Sequence, residues 1–158
     1  MLLDKIDFEI LRQLQEDSSI SNLDLSRQVG VSPSTCLTRT KALVSEGFII
    51  DKVAIVDPDK VGLNTTAFTL VSIKDTTGES FDEFIDYISS RDEVQECYTI
   101  TGNYALLLKV VTSDVKSYRE FVTQVLMSNE LVSQINTNIV MSREKVTTRL
   151  PLGMIQPK

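Results

Sequence analysis

The chain has 158 residues, 42% of them hydrophobic and 24% charged, with a net charge of −6 at pH 7. That length suits one large domain or two small ones with a real core. The acidic balance excludes general adhesion to nucleic acid or anionic membrane, and the absence of histidine excludes His-based triads and His-ligated zinc.

No apolar run approaches the ~20 residues of a bilayer span. The first ten residues lack the basic-then-apolar layout of a signal peptide. Cys36 and Cys97 stand far apart in unlike contexts and read as reduced thiols. A cytoplasmic protein without membrane association follows as the expectation.

In chain order, a first helix is predicted from Asp4, which can cap it, with Asp7 near the positive end of its dipole. Ile6, Ile10, Leu11 and Leu14 form its apolar stripe. Residues 16–19 make a loop. Ser21 with Asp24 three residues on resembles a capping box for a second helix, and Gly30 supplies the left-handed residue that ends it. After Val31, Ser32 caps a third helix and Pro33 fits its first turn. This helix runs to about Glu46 and stops at Gly47. Cys36, Leu37, Thr40, Leu43 and Val44 fall on one side. Thr35, Thr38, Arg39 and Ala42 fall on the other, with Ser34, Lys41 and Ser45 at the edges. Residues 48–56 are β-like and suggest a short strand pair or wing carrying Lys52. A turn at 57–59 leads to a joint near residue 62.

The second half has another rhythm. Residues 66–73 read as a strand. Phe81, Phe84, Ile85 and Ile88 give a helical face. Residues 94–101 and 105–111 read as strands joined by a type I′ or II′ hairpin turn at Gly102-Asn103. Tyr118, Phe121, Val122 and Val125 give a second helical face, and residues 132–141 a last strand. The order βαββαβ defines a ferredoxin-like sandwich. The expected fold class is therefore α+β: a winged helix-turn-helix over residues 1–60, then a ferredoxin-like oligomerisation domain over 61–158, to which the family resemblance given below adds effector binding. The first strand carries apolar groups on both faces, yet two helices hide only one. A second subunit is expected on the other.

The third helix holds no acid before Glu46 in an acidic protein. A helix that enters a major groove must offer short or bidentate polar groups from its N-terminal half. Ser34, Thr35, Thr38 and Arg39 meet that demand, and Arg39 can fork onto guanine. Ser32 and Lys41 flank them, while Arg27 and Lys52 suit phosphate. Double-stranded DNA is the expected partner. An alternative is a metabolite-binding oligomeric module whose three helices serve assembly. An enzyme lacks support: there is no nucleophile with a recognisable base, no phosphate loop and no metal-ligand spacing.

These features converge on one family. LDKIDFEILRQLQED, VSPSTCLTRTKALVSEGFI, DPDKVGL, TGNYALLLKV and REKVTTRLPL together resemble the Lrp/AsnC transcriptional regulators over residues 3–152. The resemblance implies a winged helix-turn-helix joined to an αβ sandwich, and homodimers that assemble further, often to octamers. It also implies small-molecule effectors, commonly amino acids, bound between dimers at a turn that maps onto Thr101, Gly102, Asn103, Tyr104 and Ala105. No other cofactor is expected. The family's usual turn carries acids where this chain has Asn103 and Ala105. A carboxylate there can meet an effector's ammonium group. Its loss leaves three outcomes: a different amino acid, another class of metabolite, or no ligand.

Overall fold

The computed structural model describes residues 2–76 and 78–155. The chain divides into two compact units, Met1–Ile55 together with Lys145–Lys158, and Val56–Glu144. Against the expected division at residue 60, the boundary falls between Ile55 and Val56, and residues from Lys145 on group with the three helices.

The first unit is built on three helices, α1 (Lys5–Glu16), α2 (Asn22–Val29) and α3 (Pro33–Ser45). Their ends follow from local chemistry. Asp4 caps α1 by accepting from the amides of Ile6 and Asp7, and the Asp7 carboxylate accepts the Asp4 amide at 3.0 Å in return. Ser21 caps α2, and Gly30 ends it in the left-handed region at φ 72°. Ser32 caps α3, with Pro33 in its first turn. Ile10, Leu14, Leu25, Cys36 and Leu43 make the core. Two members of the expected stripe on α3 are not in it. Leu37 and Val44 are 45% and 50% exposed, because α1 and α2 cover only the narrow row through Cys36 and Leu43.

Residues 48–57 form no strand, which corrects the expected wing. A β-like composition makes a ladder only with a partner, and among the described residues no strand pairs with this segment. Ile50, Val53 and Ile55 are consequently exposed. The tail straps α1 instead. The Leu150 amide donates to Gln15 Oε1 at 2.7 Å, and Arg149 pairs with Glu16 at 2.6 Å.

The second unit carries β1 (Thr65–Ile73), α4 (Glu79–Ser89), β2 (Val94–Thr99), β3 (Leu106–Thr112), α5 (Val115–Phe121) and β4 (Val132–Ile139). The antiparallel sheet has the order β2-β3-β1-β4, as the βαββαβ pattern requires. α5 continues into a π turn, Val122–Leu126, closed by the Met127 amide donating to Val122 O at 2.8 Å. The wider turn brings Val125 and Leu126 into the core beside Phe121 and leaves Val122 only partly buried. Ala67, Val71, Leu106, Leu108 and Val110 meet Phe84, Ile88 and Phe121 in that core. Inside it, Tyr118 Oη bonds Thr69 Oγ1 at 2.8 Å and Thr137 Oγ1 at 2.6 Å.

The sheet's other face is mixed. Phe68 and Tyr98 are 38% and 50% exposed. Leu70 and Leu107 lie paired beside them. Lys109 bridges to Glu96 across the strands at 2.7 Å, and Tyr98 Oη donates to the same carboxylate at 3.0 Å. Glu96 is thereby held below the usual carboxyl range, chiefly by Lys109, and its charge pushes Tyr98 up.

Candidate nucleic-acid interface and effector turn

α3 presents a hydroxyl-rich start. Ser32 Oγ accepts the Thr35 amide at 3.2 Å and lies 3.0 Å from Ser34 Oγ and 2.8 Å from Thr35 Oγ1. Thr38 Oγ1 donates to Ser34 O at 3.0 Å, so its remaining lone pairs face outward as acceptors. Ser32, Ser34, Thr35 and Thr38 are all exposed. Ser34, Thr35, Thr38 and Arg39 line a concavity of about 340 Å³. No acid lies on α3 itself. Lys41 and Lys52 are exposed. Arg27 pairs with Asp24 at 3.1 Å on the open surface, a contact weak enough to exchange for phosphate.

Arg39 departs from its expected role as a free fork. Its Nη1 donates to Asp4 Oδ2 at 2.7 Å and to Asp7 Oδ1 at 2.8 Å. Both carboxylates are already committed to the start of α1, where Asp4 Oδ1 takes the Ile6 and Asp7 amides and Asp7 Oδ2 takes the Asp4 amide. Asp7 is only 2% exposed. The amide of Asp7, and then Arg39, hold the Asp4 carboxyl low, and the two carboxylates push Arg39 up. Both bonds come from one nitrogen, Nη1, and tie the guanidinium to the start of α1. Nothing local in the sequence marks this pairing, because Asp4 lies 35 residues from Arg39.

The turn between β2 and β3 is longer than expected. The strands end at Thr99 and resume at Leu106, and the Ile100 amide donates to Ala105 O at 2.9 Å. Four residues therefore span the closing pair. Gly102 has φ 115°, but Asn103 is not left-handed, which rules out the type I′ turn. Ser72 Oγ donates to Asn103 O at 3.0 Å and ties the loop to β1. Gly102, Asn103, Tyr104 and Ala105 line a concavity of about 310 Å³. Thr101 does not. Ser72, Thr76 and Thr99 line it too, and the sequence reading missed them. Pairing β1 beside β3 was the signal that could have found the first of these. Among the described residues that line this hollow, none carries a carboxylate or ammonium group.

Fold and sites together define a regulator with a DNA-binding helix-turn-helix head and a ligand-binding sandwich. Similarity to known proteins gives the family. A profile described as winged helix-turn-helix DNA-binding matches residues 3–50, and one described as the Lrp/AsnC ligand binding domain matches residues 66–150. The chain belongs to the Lrp/AsnC family of transcriptional regulators. It is 46% identical to the transcriptional regulator AzlB of Bacillus subtilis, covering 96% of this chain and 97% of that protein. It is 40% identical to the proline dehydrogenase transcriptional activator of Rhizobium radiobacter, covering 92% and 93%. Among solved structures, the Neisseria meningitidis regulator NMB0573 in complex with L-Met matches with TM-score 0.91 at 34% identity, covering 96% of this chain and 98% of that one. These relatives are named as regulators and not as enzymes. Among the described residues no helix is long and apolar enough to cross a membrane, and no side-chain group is arranged for a metal.

Proposed function

We propose that this chain controls transcription in the cytoplasm by laying α3 in the major groove of double-stranded DNA. Ser34, Thr35 and Thr38 face base edges. Ser32, Lys41, Arg27 and Lys52 face the flanking phosphates. The carrying observation is the exposed, acid-free hydroxyl surface of α3 in a protein of net charge −6. Two copies join through the open sheet face around Phe68, Leu70, Leu107 and Tyr98 and assemble further, to an octamer. A dimer sets its two reading helices about one DNA turn apart, roughly 34–36 Å, or a multiple of it.

An amino acid or other small metabolite modulates the assembly from the hollow at Gly102, Asn103, Tyr104 and Ala105, with Thr101 preceding them in the same loop. The hollow itself supports this, as does the L-Met complex of the Neisseria relative. Such a ligand shifts the equilibrium only by its differential affinity for the assemblies. Sequencing duplexes selected by the purified protein, with and without a panel of amino acids, tests both parts. An enriched site that changes with one ligand is the expected result. No enrichment at moderate salt would leave the chain a metabolite-binding module.

A further inference from the structure

The residues offered for reading lie between two polar attachments. At the start of α3, Asn22 Nδ2 of α2 donates to Pro33 O at 2.9 Å. One turn past Thr35, Arg39 is held by Asp4 and Asp7 at the start of α1. Ser34, Thr35 and Thr38 fall between these points. The apolar contacts of α3 lie on its opposite side, at Cys36 and Leu43, so these two polar attachments are what hold the edges of its outward face. The second attachment is also electrostatically closed. One guanidinium sits against two carboxylates, a cluster of net charge −1, which repels phosphate.

We propose that Arg39 is a positioning residue: with Asp4 and Asp7 it forms one of two pegs that set the rotation of α3, and base reading falls to the neutral groups of Ser34, Thr35 and Thr38. The inference rests on α3 being the DNA-contacting helix. In this arrangement Asp4 and Asp7, which never touch DNA, are as necessary to sequence preference as Arg39. Asn22 does the same work at the other peg.

Wild-type full-length chain is first carried through selection from random duplexes. Enrichment there upholds α3 as a reading helix, and its absence removes that reading without reference to the pegs. Arg39→Ala, Asp7→Asn, Asp4→Asn and the Arg39→Ala/Asp7→Asn double variant are then compared on the enriched site and on a scrambled duplex, over a salt series, below each variant's melting temperature. The proposal expects each single variant to lose roughly tenfold on the enriched site, and the double no more than the worse single, as coupled partners do. Preference should blur across the half-site while the salt slope stays at the wild-type value, a readout that lower stability alone does not move. Asn22→Ala should show the same signature.

A DNA-contacting Arg39 gives the opposite pattern. Asp7→Asn and Asp4→Asn would bind as well as wild type or better, because they release the cation. Arg39→Ala alone would weaken binding, with the salt slope falling by ~0.9 for each phosphate it no longer neutralises, or with relaxed preference at a single base pair. Either result overturns the proposal. Should Asp7→Asn fail to fold, Asp4→Asn decides: its side chain is 47% exposed, and asparagine caps a helix about as well as aspartate.

Discussion

Lys41→Gln measures the phosphate footprint of α3. Each protomer presents three cations toward the proposed duplex: Arg27, Lys41 and Lys52. A dimer then neutralises six phosphates, giving a log–log salt slope of about −5.4. Lys41→Gln removes two of these and brings the slope to about −3.6. Between 50 and 200 mM salt the wild type should lose affinity on the order of 10³-fold, and the variant only on the order of 10²-fold. Anisotropy of a labelled duplex carrying the selected site, titrated at five salt concentrations, reads both slopes. The substitution lies on an exposed face, so stability should not change. A slope identical to wild type would remove Lys41 from the interface and refute the orientation proposed for α3.

Tyr118→Phe strips a partner from Thr69, whose residue is fully buried, while Thr137 can turn to water. One stranded hydroxyl costs ~1–3 kcal/mol; urea unfolding followed by circular dichroism should show it, and adding Thr69→Val should restore part. A shift under ~0.5 kcal/mol would mean the hydroxyl chain contributes nothing net. The Asp4 carboxyl is held below its ordinary value of 3.8 by the Asp7 amide and then by Arg39. A depressed carboxyl stabilises fully above that ordinary value and loses the contribution as pH falls through its lower folded value. Acid unfolding curves of Asp4→Asn should therefore be flatter than wild type below pH ~4, and parallel curves would count against the network. Asn103→Asp puts a carboxylate into an uncharged hollow. Titration calorimetry should find amino acids bound about five- to tenfold more tightly by the variant, the scale of a partly exposed charge-assisted bond. Unchanged affinity for an amino acid that the wild type binds would place its ammonium elsewhere.

Local chemistry was legible in the sequence wherever it acts within a few residues. Ser21, Gly30, Ser32 and Pro33 set the turn between α2 and α3 by their own caps and dihedrals. The apolar period located α4 and α5, and strand alternation located the sheet. What escaped was non-local. Arg39 sits on the outer face by angular position, but two carboxylates from another helix draw its guanidinium back. The π turn at Val122–Leu126 breaks the 3.6-residue period on which a helical face is read. Residues 48–56 have strand composition without a strand's partner. Of the proposed reading residues, Ser34, Thr35 and Thr38 lie exposed as their positions on the helix imply. The wall that Ser72 and Thr76 give the hollow depends on strand order, which no short motif encodes.

The strap from Arg149 and Leu150 to Gln15 and Glu16 spans 133 to 135 residues of chain. The DNA-binding head is thus encoded in two stretches, one on either side of the sandwich. During synthesis the three helices emerge first and wait, lacking these contacts, while the sandwich is translated. A fragment cut after residue 60 reproduces that waiting state permanently, so a headpiece excised for binding studies is a less tethered object than the one the finished protein carries.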